Sequence, residues 1–395
     1  MTRSADIVVV GGGIAAVSCA QALRDNGHTG RLTLLTEESE HPYDRPPLSK
    51  EMLQSEDPRE PSWLLPPDLI AELDIDLRLD HKVIAVDTRH RVLSVADRDV
   101  AITYDDLVVA TGTRARTLPV LAGLEGVHHL RTADDARSIR EVLRRGAPLT
   151  IVGAGFIGLE VASSARAHGC AVTIIEVAEH PLAHVLGDRL AAWLQKWHTD
   201  QGVQFRCGVS IDRAASTAGR ITLTLDDGTD VASEAVVVGI GVDRDVGWLA
   251  ASGVETHLGL VCDVNGRSRV NNIFGAGDVV CMHVGDACSP VQHWTAAAES
   301  GHRVARTMLG LDPEPSLEEH YFWSNQAGLR LMSVGRRTVD AELEIVSGDL
   351  AEGKFVAHWT EGDRLVGVIG ANSVKDFLRS RNAFRTDSES VTATH

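Results

Sequence analysis

Two glycine-rich turns constrain the fold of this chain more than any other feature. The first spans residues 11–16, GGGIAA, and the second spans 153–158, GAGFIG, and each follows a short apolar stretch. A buried strand that turns sharply into a helix needs glycine, which tolerates positive φ angles and lets the backbone approach a pyrophosphate. The helix that follows offers free N–H groups and the positive end of its dipole to the phosphates. The alternative is that these glycines only allow a helix to pack closely on a sheet.

A carboxylate follows each turn at the distance that dinucleotide binding requires. The apolar stretch 32–35 leads to Glu37 and Glu38, and the stretch 172–175 leads to Glu176. An acid about 20 residues beyond the glycine turn, at the end of the next strand, can accept hydrogen bonds from ribose hydroxyls. Two such units predict two dinucleotide sites, and a chain of this kind is a candidate redox enzyme that uses a flavin and a nicotinamide.

Composition excludes several other classes of protein. The formal net charge of −17 disfavours nonspecific nucleic-acid binding and docking on an anionic membrane, and no apolar run reaches the length of a membrane span. A strand pattern that begins at residue 6 leaves no room for a signal peptide, so we expect a cytoplasmic protein. The six cysteines show no metal-binding spacing, so we expect no metal site, and we interpret Cys281 and Cys288 as ordinary thiols.

The order of strand and helix patterns predicts an α/β fold with two Rossmann-like dinucleotide-binding domains and a small α+β C-terminal domain. We expect a discontinuous FAD-binding domain at 1–113 and 243–315, with the NAD-binding domain, 114–242, inserted into it. The stretch 273–278 predicts a strand that returns to the first domain. The C-terminal domain, 316–395, is predicted to mediate an interface and to end in a helix at 374–381, followed by a mobile tail from residue 385.

Three further motifs give this chain a family resemblance. They are PYDRPPLSK at 42–50, GLE at 158–160 and WSNQ at 323–326. With the two glycine turns, they resemble the NADH-dependent, FAD-containing ferredoxin reductases of multicomponent oxygenases, a group that includes putidaredoxin reductase-like and rubredoxin reductase-like proteins. The likeness extends from residue 6 to about residue 384. It implies FAD and NADH as cofactors, a transient [2Fe–2S] ferredoxin partner that feeds an oxygenase, no nucleic-acid or membrane partner, and a monomer or homodimer.

The resemblance also implies site residues. FAD is expected to contact Gly11, Gly13, Ala15, Glu37, Glu38, Arg45, Lys50, Val83, Thr111, Gly112, Arg131, Asp278, Trp294 and Trp323. NADH is expected to contact Gly153, Gly155, Ile157, Gly158 and Glu176. Within the first set, Glu37 is the expected ribose ligand with Glu38 as the fallback. The family usually has Asp where this chain has Asn325.

Two charged residues are the predicted catalytic pair. The resemblance places Lys50 beside the isoalloxazine ring, where a buried cation would stabilise the negative charge gained as hydride arrives. Glu160, on the first turn of the NAD-binding helix, would neutralise and orient it. The alternative is that both are solvated surface charges. Asp278 also has two interpretations, as an acceptor for ribityl hydroxyls or as a helix N-cap.

Glu176 favours NADH over NADPH. A carboxylate at that strand end accepts the adenosine 2′- and 3′-hydroxyls and repels a 2′-phosphate, and no arginine occurs among residues 177–180.

The sequence of the segment 43–50 limits the electron acceptors that this chain can use. Flavin disulfide reductases carry a redox-active cysteine pair soon after the first βαβ unit, whereas this segment has no cysteine. Electrons must therefore leave to a one-electron carrier or a small oxidant. The leading hypothesis is a ferredoxin reductase. The alternatives are an NADH oxidase or small-molecule or rubredoxin reductase, and an NADH-sensing flavoprotein like apoptosis-inducing factor.

An acidic ferredoxin would need a local basic patch on this acidic chain. The candidates in the C-terminal region are Arg330, Arg336, Arg337, Lys375, Arg379, Arg381 and Arg385. The alternative for this region is a solvated surface of mixed charge.

Overall fold

The computed structural model describes residues 4–54, 60–98, 100–284, 287–290, 293–312 and 320–392. The chain forms two compact units. The first consists of Met1–Arg45, Pro61–Arg114 and Val242–Leu317, and the second of Pro46–Glu60, Ala115–Gly241 and Glu318–His395. The segment Pro46–Glu60 thus groups with the second unit, whereas the sequence analysis assigned it to the FAD-binding domain. The predicted domain boundaries themselves stay a prediction.

The first unit is built on a five-stranded parallel sheet. In spatial order its strands are Ile273–Gly275, Asp106–Val109, Ile7–Val10, Leu32–Leu35 and Asp76–Arg78. All four residues of Ile7–Val10 are buried, which explains why this strand is uniformly apolar. The strand order reverses between Ile7–Val10 and Asp106–Val109, the crevice where doubly wound sheets bind ligands. Ile273–Gly275 joins the sheet edge, as its sequence predicted.

The rest of the first unit packs around this sheet. Its helices are Ile14–Asp25, Pro67–Glu72 and Trp294–Met308, with 3-10 turns at Gly247–Leu249 and Gly277–Val279. Its smaller sheets contain the strands Val83–Asp87, Val92–Val95 and Ala101–Thr103, and Leu260–Cys262, Val280–Val284 and Ala287–Pro290. The short strands Thr113–Ala115 and Val242–Arg244 occur where the chain passes from one unit to the other.

The second unit repeats the parallel design. Its sheet has the strand order Val203–Cys207, Val172–Glu176, Leu149–Val152, Ala235–Val238 and Val127–His129. Leu149–Val152, like Ile7–Val10, is buried along its whole length. The two parallel sheets confirm the predicted fold class.

Two antiparallel sheets complete the second unit. One contains Ile211–Thr217, Arg220–Leu225 and Asp230–Ser233, and the other contains, in spatial order, Phe322–Gln326, Leu329–Gly335, Arg364–Ala371, Lys354–Glu361 and Glu342–Asp349. The helices are Glu51–Gln54, Ala133–Arg144, Phe156–Ala167, Ala183–Asp200 and Val374–Thr392, with 3-10 turns at Pro46–Ser49 and Pro119–Leu121.

The last helix corrects the sequence analysis. It spans Val374–Thr392, whereas the prediction ended it at residue 381 and began a mobile tail at 385. No glycine or proline interrupts this stretch, and Phe384 is buried in the apolar core of the C-terminal sheet, which anchors the helix beyond the predicted end. The tail was predicted from the polar composition of residues 385–395, which gives no sign of the buried Phe384 directly before it.

None of the helices in the described ranges is long and apolar enough to cross a membrane. The predicted linker 310–315 lies partly outside the described residues.

Candidate functional site

The first glycine turn is shaped by steric crowding on one side and open space on the other. Gly11 has a φ of +133°, and a Cβ there would lie 2.1 Å from the carbonyl oxygen of Ala110, so only glycine fits. A Cβ on Gly13 would meet no atom within 4 Å. Gly13 is the N-cap of the helix Ile14–Asp25, and no side chain caps its N–H groups. These N–H groups at an open helix end suit a pyrophosphate.

Ala15 and Asp278 lie close to the same turn. A Cβ on Gly277 would come within 2.7 Å of the Ala15 Cβ, so alanine at 15 and glycine at 277 let the two segments approach closely. Asp278 lies in the 3-10 turn Gly277–Val279, whose N-cap is Ala276. The N-cap of the next helix is His293, so the interpretation of Asp278 as a helix N-cap is wrong.

A cleft in the first unit brings together many of the residues predicted to bind FAD. Its predicted lining residues are Gly11, Glu37, Glu38, Arg45, Val83 and Thr111. Sequence reasoning missed His81, Lys82, Arg114 and Asp245, which line the same cleft. Lys82 lies next to Val83, but Arg114 and Asp245 are brought there from distant parts of the chain, which no local motif could reveal.

Cations surround Glu37 in this cleft. Arg114 donates a hydrogen bond of 3.1 Å to Glu37 Oε2, and the Lys82 Nζ lies 3.6 Å from the same atom. Arg114 also bonds Asp245, and that hydrogen bond raises the pKa of the guanidinium above its ordinary value. The Glu37 side chain is 44% exposed, so its carboxylate can still accept a ribose hydroxyl.

Glu38 is engaged within the protein. Arg45 donates to Glu38 Oε1 at 2.7 Å, and the Tyr43 hydroxyl donates to Glu38 Oε2. Burial opposes the charge of Arg45, but the attraction of Glu38 outweighs it, and the net effect raises the pKa of the guanidinium. The structure therefore favours Glu37 over Glu38 as the accessible carboxylate. The open helix end and the accessible acid fit the ADP half of FAD.

The remaining residues predicted to bind FAD belong to both units. Gly112, with a φ of +68°, forms the turn after Asp106–Val109, and Trp294 donates its indole N–H to Asp44 at 2.7 Å, both in the first unit. Arg131 and Trp323 belong to the second unit, together with Lys50. Their roles at the flavin stay a prediction.

The second glycine turn repeats the geometry of the first. Gly153 has a φ of +98°, and a Cβ there would lie 2.4 Å from the Gly239 carbonyl oxygen. A Cβ on Gly158 would lie 2.2 Å from the Gly153 carbonyl oxygen, which explains the third glycine. Gly155, the N-cap of Phe156–Ala167, faces space, with its nearest neighbour at 3.9 Å. The side chain of Ile157 is 43% exposed at this helix end.

Glu176 ends the strand Val172–Glu176 and faces this turn. Its Oε2 accepts a hydrogen bond of 2.7 Å from the Ala154 N–H, and its Oε1 accepts one of 2.9 Å from the Ala178 N–H. Each carboxylate oxygen has a second lone pair, so both can still accept ribose hydroxyls. Glu176 therefore holds the turn in shape, and its contact with NADH stays a prediction.

Lys50 and Glu160 form a buried ion pair in the second unit. The Lys50 Nζ lies 2.8 Å from Glu160 Oε2, and the two side chains are only 9% and 5% exposed. Ser49 also donates to Glu160 Oε2, and Ser324 donates to Oε1 at 2.6 Å. The alternative of two solvated surface charges is therefore wrong.

Burial makes this pair costly to disturb. Removing one partner of a buried ion pair typically costs about 3–5 kcal/mol, because the other charge is left uncompensated. The hydrogen bonds from the two serines satisfy the carboxylate further. The pair therefore presents a fixed ammonium group, as a site that stabilises developing negative charge requires.

The side chain of Asn325 lies on the other face of its strand from Ser324, which bonds Glu160. Ser324 and Gln326 are buried, whereas Asn325 between them is exposed, as alternation along the strand Phe322–Gln326 requires. An amide in place of the usual carboxylate at this position therefore leaves the Glu160 pair intact.

Among the described residues, both free and disulfide-bonded cysteines occur. Cys19, Cys170, Cys207 and Cys262 are free, and burial raises the pKa of Cys19 and Cys262 to about 12. Cys281 is disulfide-bonded, so the interpretation of this residue as an ordinary thiol is wrong. The sequence gave no sign that Cys281 is bonded, because it lies in no recognised cysteine motif. The side chain of Cys288 lies outside the described residues.

Within the described residues, no group of three or more His, Cys, Asp or Glu side chains could hold a metal ion.

Comparisons with known proteins agree with this geometry. The family description "Pyridine nucleotide-disulphide oxidoreductase" matches residues 5–301, and "Reductase C-terminal" matches residues 321–394. The chain is 35% identical over 376 residues to the ferredoxin--NAD(+) reductase component of the p-cumate 2,3-dioxygenase system of Pseudomonas putida, covering 95% of this chain and 92% of that protein. It is 33% identical over 390 residues to rhodocoxin reductase of Rhodococcus erythropolis, covering 96% and 90%.

A solved structure gives the same result. The covalent putidaredoxin reductase–putidaredoxin complex matches with a TM-score of 0.91 and 28% identity, covering 98% of this chain and 94% of that one. Two glycine turns with open helix ends, a carboxylate beyond each, and these matches along nearly the whole chain lead to one conclusion. The chain belongs to the pyridine nucleotide-disulphide oxidoreductase family and is an FAD- and NAD(H)-dependent oxidoreductase with a C-terminal reductase domain.

Proposed function

We propose that this chain is the NADH-dependent ferredoxin reductase of an oxygenase system. The observation that carries the proposal is the buried Lys50–Glu160 pair. In this chain, the segment 43–50 holds a lysine anchored to a carboxylate and no cysteine. That segment can supply electrostatic stabilisation but no thiol relay, so electrons must pass directly to an external acceptor.

The glycine turns that would hold FAD and NADH belong to different units. The open helix end at Gly13, the accessible Glu37 and the turn at Asp278 would hold FAD. The helix end at Gly155 and Glu176 would hold NADH. When bound, FAD accepts a hydride as an electron pair and releases electrons singly, as transfer to a one-electron carrier requires.

Lys50 and Glu160 are the proposed catalytic residues. The Lys50 ammonium, held by Glu160 and by the Pro46 carbonyl at 3.1 Å, cannot swing into solvent without breaking buried bonds. A preorganised positive charge near a developing negative charge lowers the barrier without reorganisation during the reaction. Glu160 keeps the ammonium in place and balances its charge when no hydride is being transferred.

The acceptor is proposed to be a [2Fe–2S] ferredoxin that docks transiently. The relatives named as ferredoxin reductases support this choice. The basic candidates of the C-terminal region are partly engaged already: Arg379 bonds Asp376 at 3.2 Å, and Arg381 lies over the Tyr321 ring at 4.9 Å. Arg330, Arg336 and Lys375 are exposed, and we propose them as an accessible part of the docking surface. We propose a monomer or homodimer in the cytoplasm, where NADH is supplied to reductases.

An acceptor panel tests the proposal. Purified holoprotein with NADH is offered a [2Fe–2S] ferredoxin, a rubredoxin, a quinone or O₂, with the Glu160→Gln variant as the matched control. We expect ferredoxin reduction to account for most of the NADH consumed and O₂ consumption for only a small part of it. O₂ consumption that accounts for all turnover would identify an oxidase instead. Very slow flavin reduction with NADH-dependent dimerisation would identify a sensing flavoprotein.

A further inference from the structure

A chain of buried polar side chains reaches Glu160 at Oε1, whereas Lys50 bonds Oε2. Its members lie on the strand Phe322–Gln326 and on the helix Ala183–Asp200. They are Ser324, Gln326 and His198, here called the donor chain. Their exposed fractions are 0%, 2% and 1%. Three buried polar groups on two different elements are costly unless each is hydrogen-bonded, so their arrangement needs an explanation.

The distances join the donor chain end to end. Gln326 Nε2 donates to Ser324 Oγ at 2.9 Å, and His198 Nε2 lies 2.8 Å from Gln326 Oε1. Ser324 Oγ in turn lies 2.6 Å from Glu160 Oε1. Ser324 and Gln326 share one face of their strand because they are two residues apart. The chain therefore runs from the helix through the C-terminal sheet to the catalytic carboxylate.

The direction of every hydrogen bond follows from Glu160. An ionised carboxylate only accepts, so the Ser324 hydroxyl must donate to it, and the serine oxygen must then accept from the Gln326 amide. The Gln326 amide oxygen, Oε1, therefore faces His198, and an amide oxygen can only accept a hydrogen bond. The proton of the His198 ring must therefore be on Nε2.

The environment of His198 agrees with a neutral ring that donates through one nitrogen. Burial, the dominant influence, lowers the pKa of His198 below its ordinary value, so the ring is uncharged at neutral pH. The Phe205 ring packs against it edge to face, with centroids 6.5 Å apart. If the proton were on Nδ1, Gln326 would turn its amide over, its oxygen would take the Ser324 hydroxyl, and Glu160 would lose a donor.

We propose that the donor chain positions Glu160, because the tautomer of His198 fixes the amide of Gln326 and so commits the Ser324 hydroxyl to the carboxylate. The three residues touch neither cofactor and act through Glu160. Their effect is to hold the Glu160 carboxylate in the orientation in which it is the counterion of Lys50. This proposal rests on the proposed role of the Lys50–Glu160 pair in flavin reduction.

Matched variants of the holoprotein test the donor chain at its two ends, Ser324 and His198. Ser324→Ala removes the donor to Glu160, and Ser324→Thr keeps a hydroxyl. His198→Leu removes the donor to Gln326, and His198→Gln keeps an N–H near the position of Nε2. We expect Ser324→Ala to slow single-turnover FAD reduction by NADH about tenfold or more, the scale of one hydrogen bond to a charged group. His198→Leu should slow it by a smaller factor, while the Gln and Thr variants stay close to wild type.

Two readouts separate positioning from a structural role. The flavin midpoint potential and visible spectrum should shift in Ser324→Ala and His198→Leu and return in the conservative variants. The double variant of Ser324→Ala with His198→Leu should reduce FAD no more slowly than Ser324→Ala alone, because Ser324→Ala has already broken the donor chain. Rates that follow only the melting temperature, or effects that simply add, would overturn the proposal.

The last comparison separates this proposal from the one on which it rests. If Glu160→Gln leaves flavin reduction unchanged, the proposed role of the ion pair fails. If Glu160→Gln slows it and the donor-chain variants do not, only the donor-chain proposal fails.

Long-range ¹H–¹⁵N spectra of histidine-labelled holoprotein, with His198 assigned by its loss in His198→Gln, provide an independent check. We expect the Nε2–H tautomer, and the Nδ1–H tautomer would overturn the donor chain.

Discussion

The first and second glycine turns have nearly the same backbone but different surroundings. Gly11 and Gly153 both have positive φ angles and lie against the carbonyl oxygen that follows the neighbouring strand, and Gly13 and Gly155 both face open space. At the first turn, the accessible acid Glu37 lies among cations. At the second, two backbone N–H groups hold Glu176.

This comparison separates the contribution of the backbone to dinucleotide binding from that of the side chains. The repeated turn and open helix end can take a pyrophosphate at either site. The side chains determine which dinucleotide is bound and what happens to it. Glu160 lies on the helix that follows the second turn, and Lys50 belongs to the same unit, so the charge proposed to act in hydride transfer is part of the unit that carries the second turn.

The largest expected effect separates the two turns. Gly13 and Gly155 have φ values of −88° and −73°, which any residue adopts, and both face open space. Valine at either position should therefore fold normally and block the phosphates. Gly13→Val should lose FAD, while Gly155→Val should keep FAD and bind NADH about 100-fold more weakly, since hydrogen bonds to charged groups are worth about 1.5–3 kcal/mol each.

Flavin content after gel filtration, the Kd for NADH and the melting temperature check this. If each variant lost both dinucleotides while remaining folded, the assignment of one dinucleotide to each turn would be wrong.

The next effect concerns the buried ion pair of Lys50 and Glu160. Lys50→Met and Glu160→Gln should each slow FAD reduction by NADH about 100-fold, the value of about 3 kcal/mol of preorganised charge, with FAD retained. Single-turnover bleaching of flavin absorbance, with FAD content measured in each variant, checks this.

The double variant of Lys50→Met with Glu160→Gln is the control for folding. It leaves no uncompensated buried charge, so it should recover stability without recovering the rate. A double variant that reduces FAD at the wild-type rate would show that the pair is only structural.

A smaller effect is expected at the acid of the second turn. Glu176→Arg should shift the preference from NADH towards NADPH by about 10- to 100-fold in kcat/KM, because it removes a carboxylate that bonds the 2′-hydroxyl and repels a phosphate. Glu176→Gln keeps an acceptor for the Ala154 N–H and should show an intermediate preference. A wild-type preference for NADPH, or an unchanged ratio in Glu176→Arg, would mean that Glu176 has been misassigned.

The smallest effect is expected from the thiols. Alkylation, and the variant Cys281→Ser, should leave FAD reduction within about a factor of two, because the cofactors carry the hydride transfer. Burial raises the pKa of Cys19 and Cys262 to about 12, so little thiolate is present at neutral pH to react. Stopped-flow reduction before and after treatment checks this. Loss of the hydride step without unfolding would reveal a thiol relay.

The sequence predicted what is local in this molecule. Each glycine turn carries its strand, helix and distal acid within a few tens of residues, so hydrophobic pattern and turn chemistry were enough to place Gly11, Gly153 and Glu176. The strand Ile273–Gly275 was also predictable, because a lone apolar strand needs a sheet to join.

The sequence did not predict what depends on distant contacts. Lys50 and Glu160 could be named as a pair only through the family resemblance, and their burial appears only when the chain folds. His198 gave no signal, because a lone histidine in an amphipathic helix looks like any other packed side chain. Arg114, which bonds Glu37, and Asp245, which bonds Arg114, were missed because they come from remote segments.

An anaerobic titration of the wild-type holoprotein with NADH tests the central claim most directly. The account predicts that each chain holds one FAD, that one equivalent of NADH bleaches its absorbance, and that added oxidised [2Fe–2S] ferredoxin restores it with two ferredoxins reduced per FAD. A protein that holds no FAD, or whose flavin NADH does not bleach, or whose reduced flavin ferredoxin does not reoxidise, would contradict it.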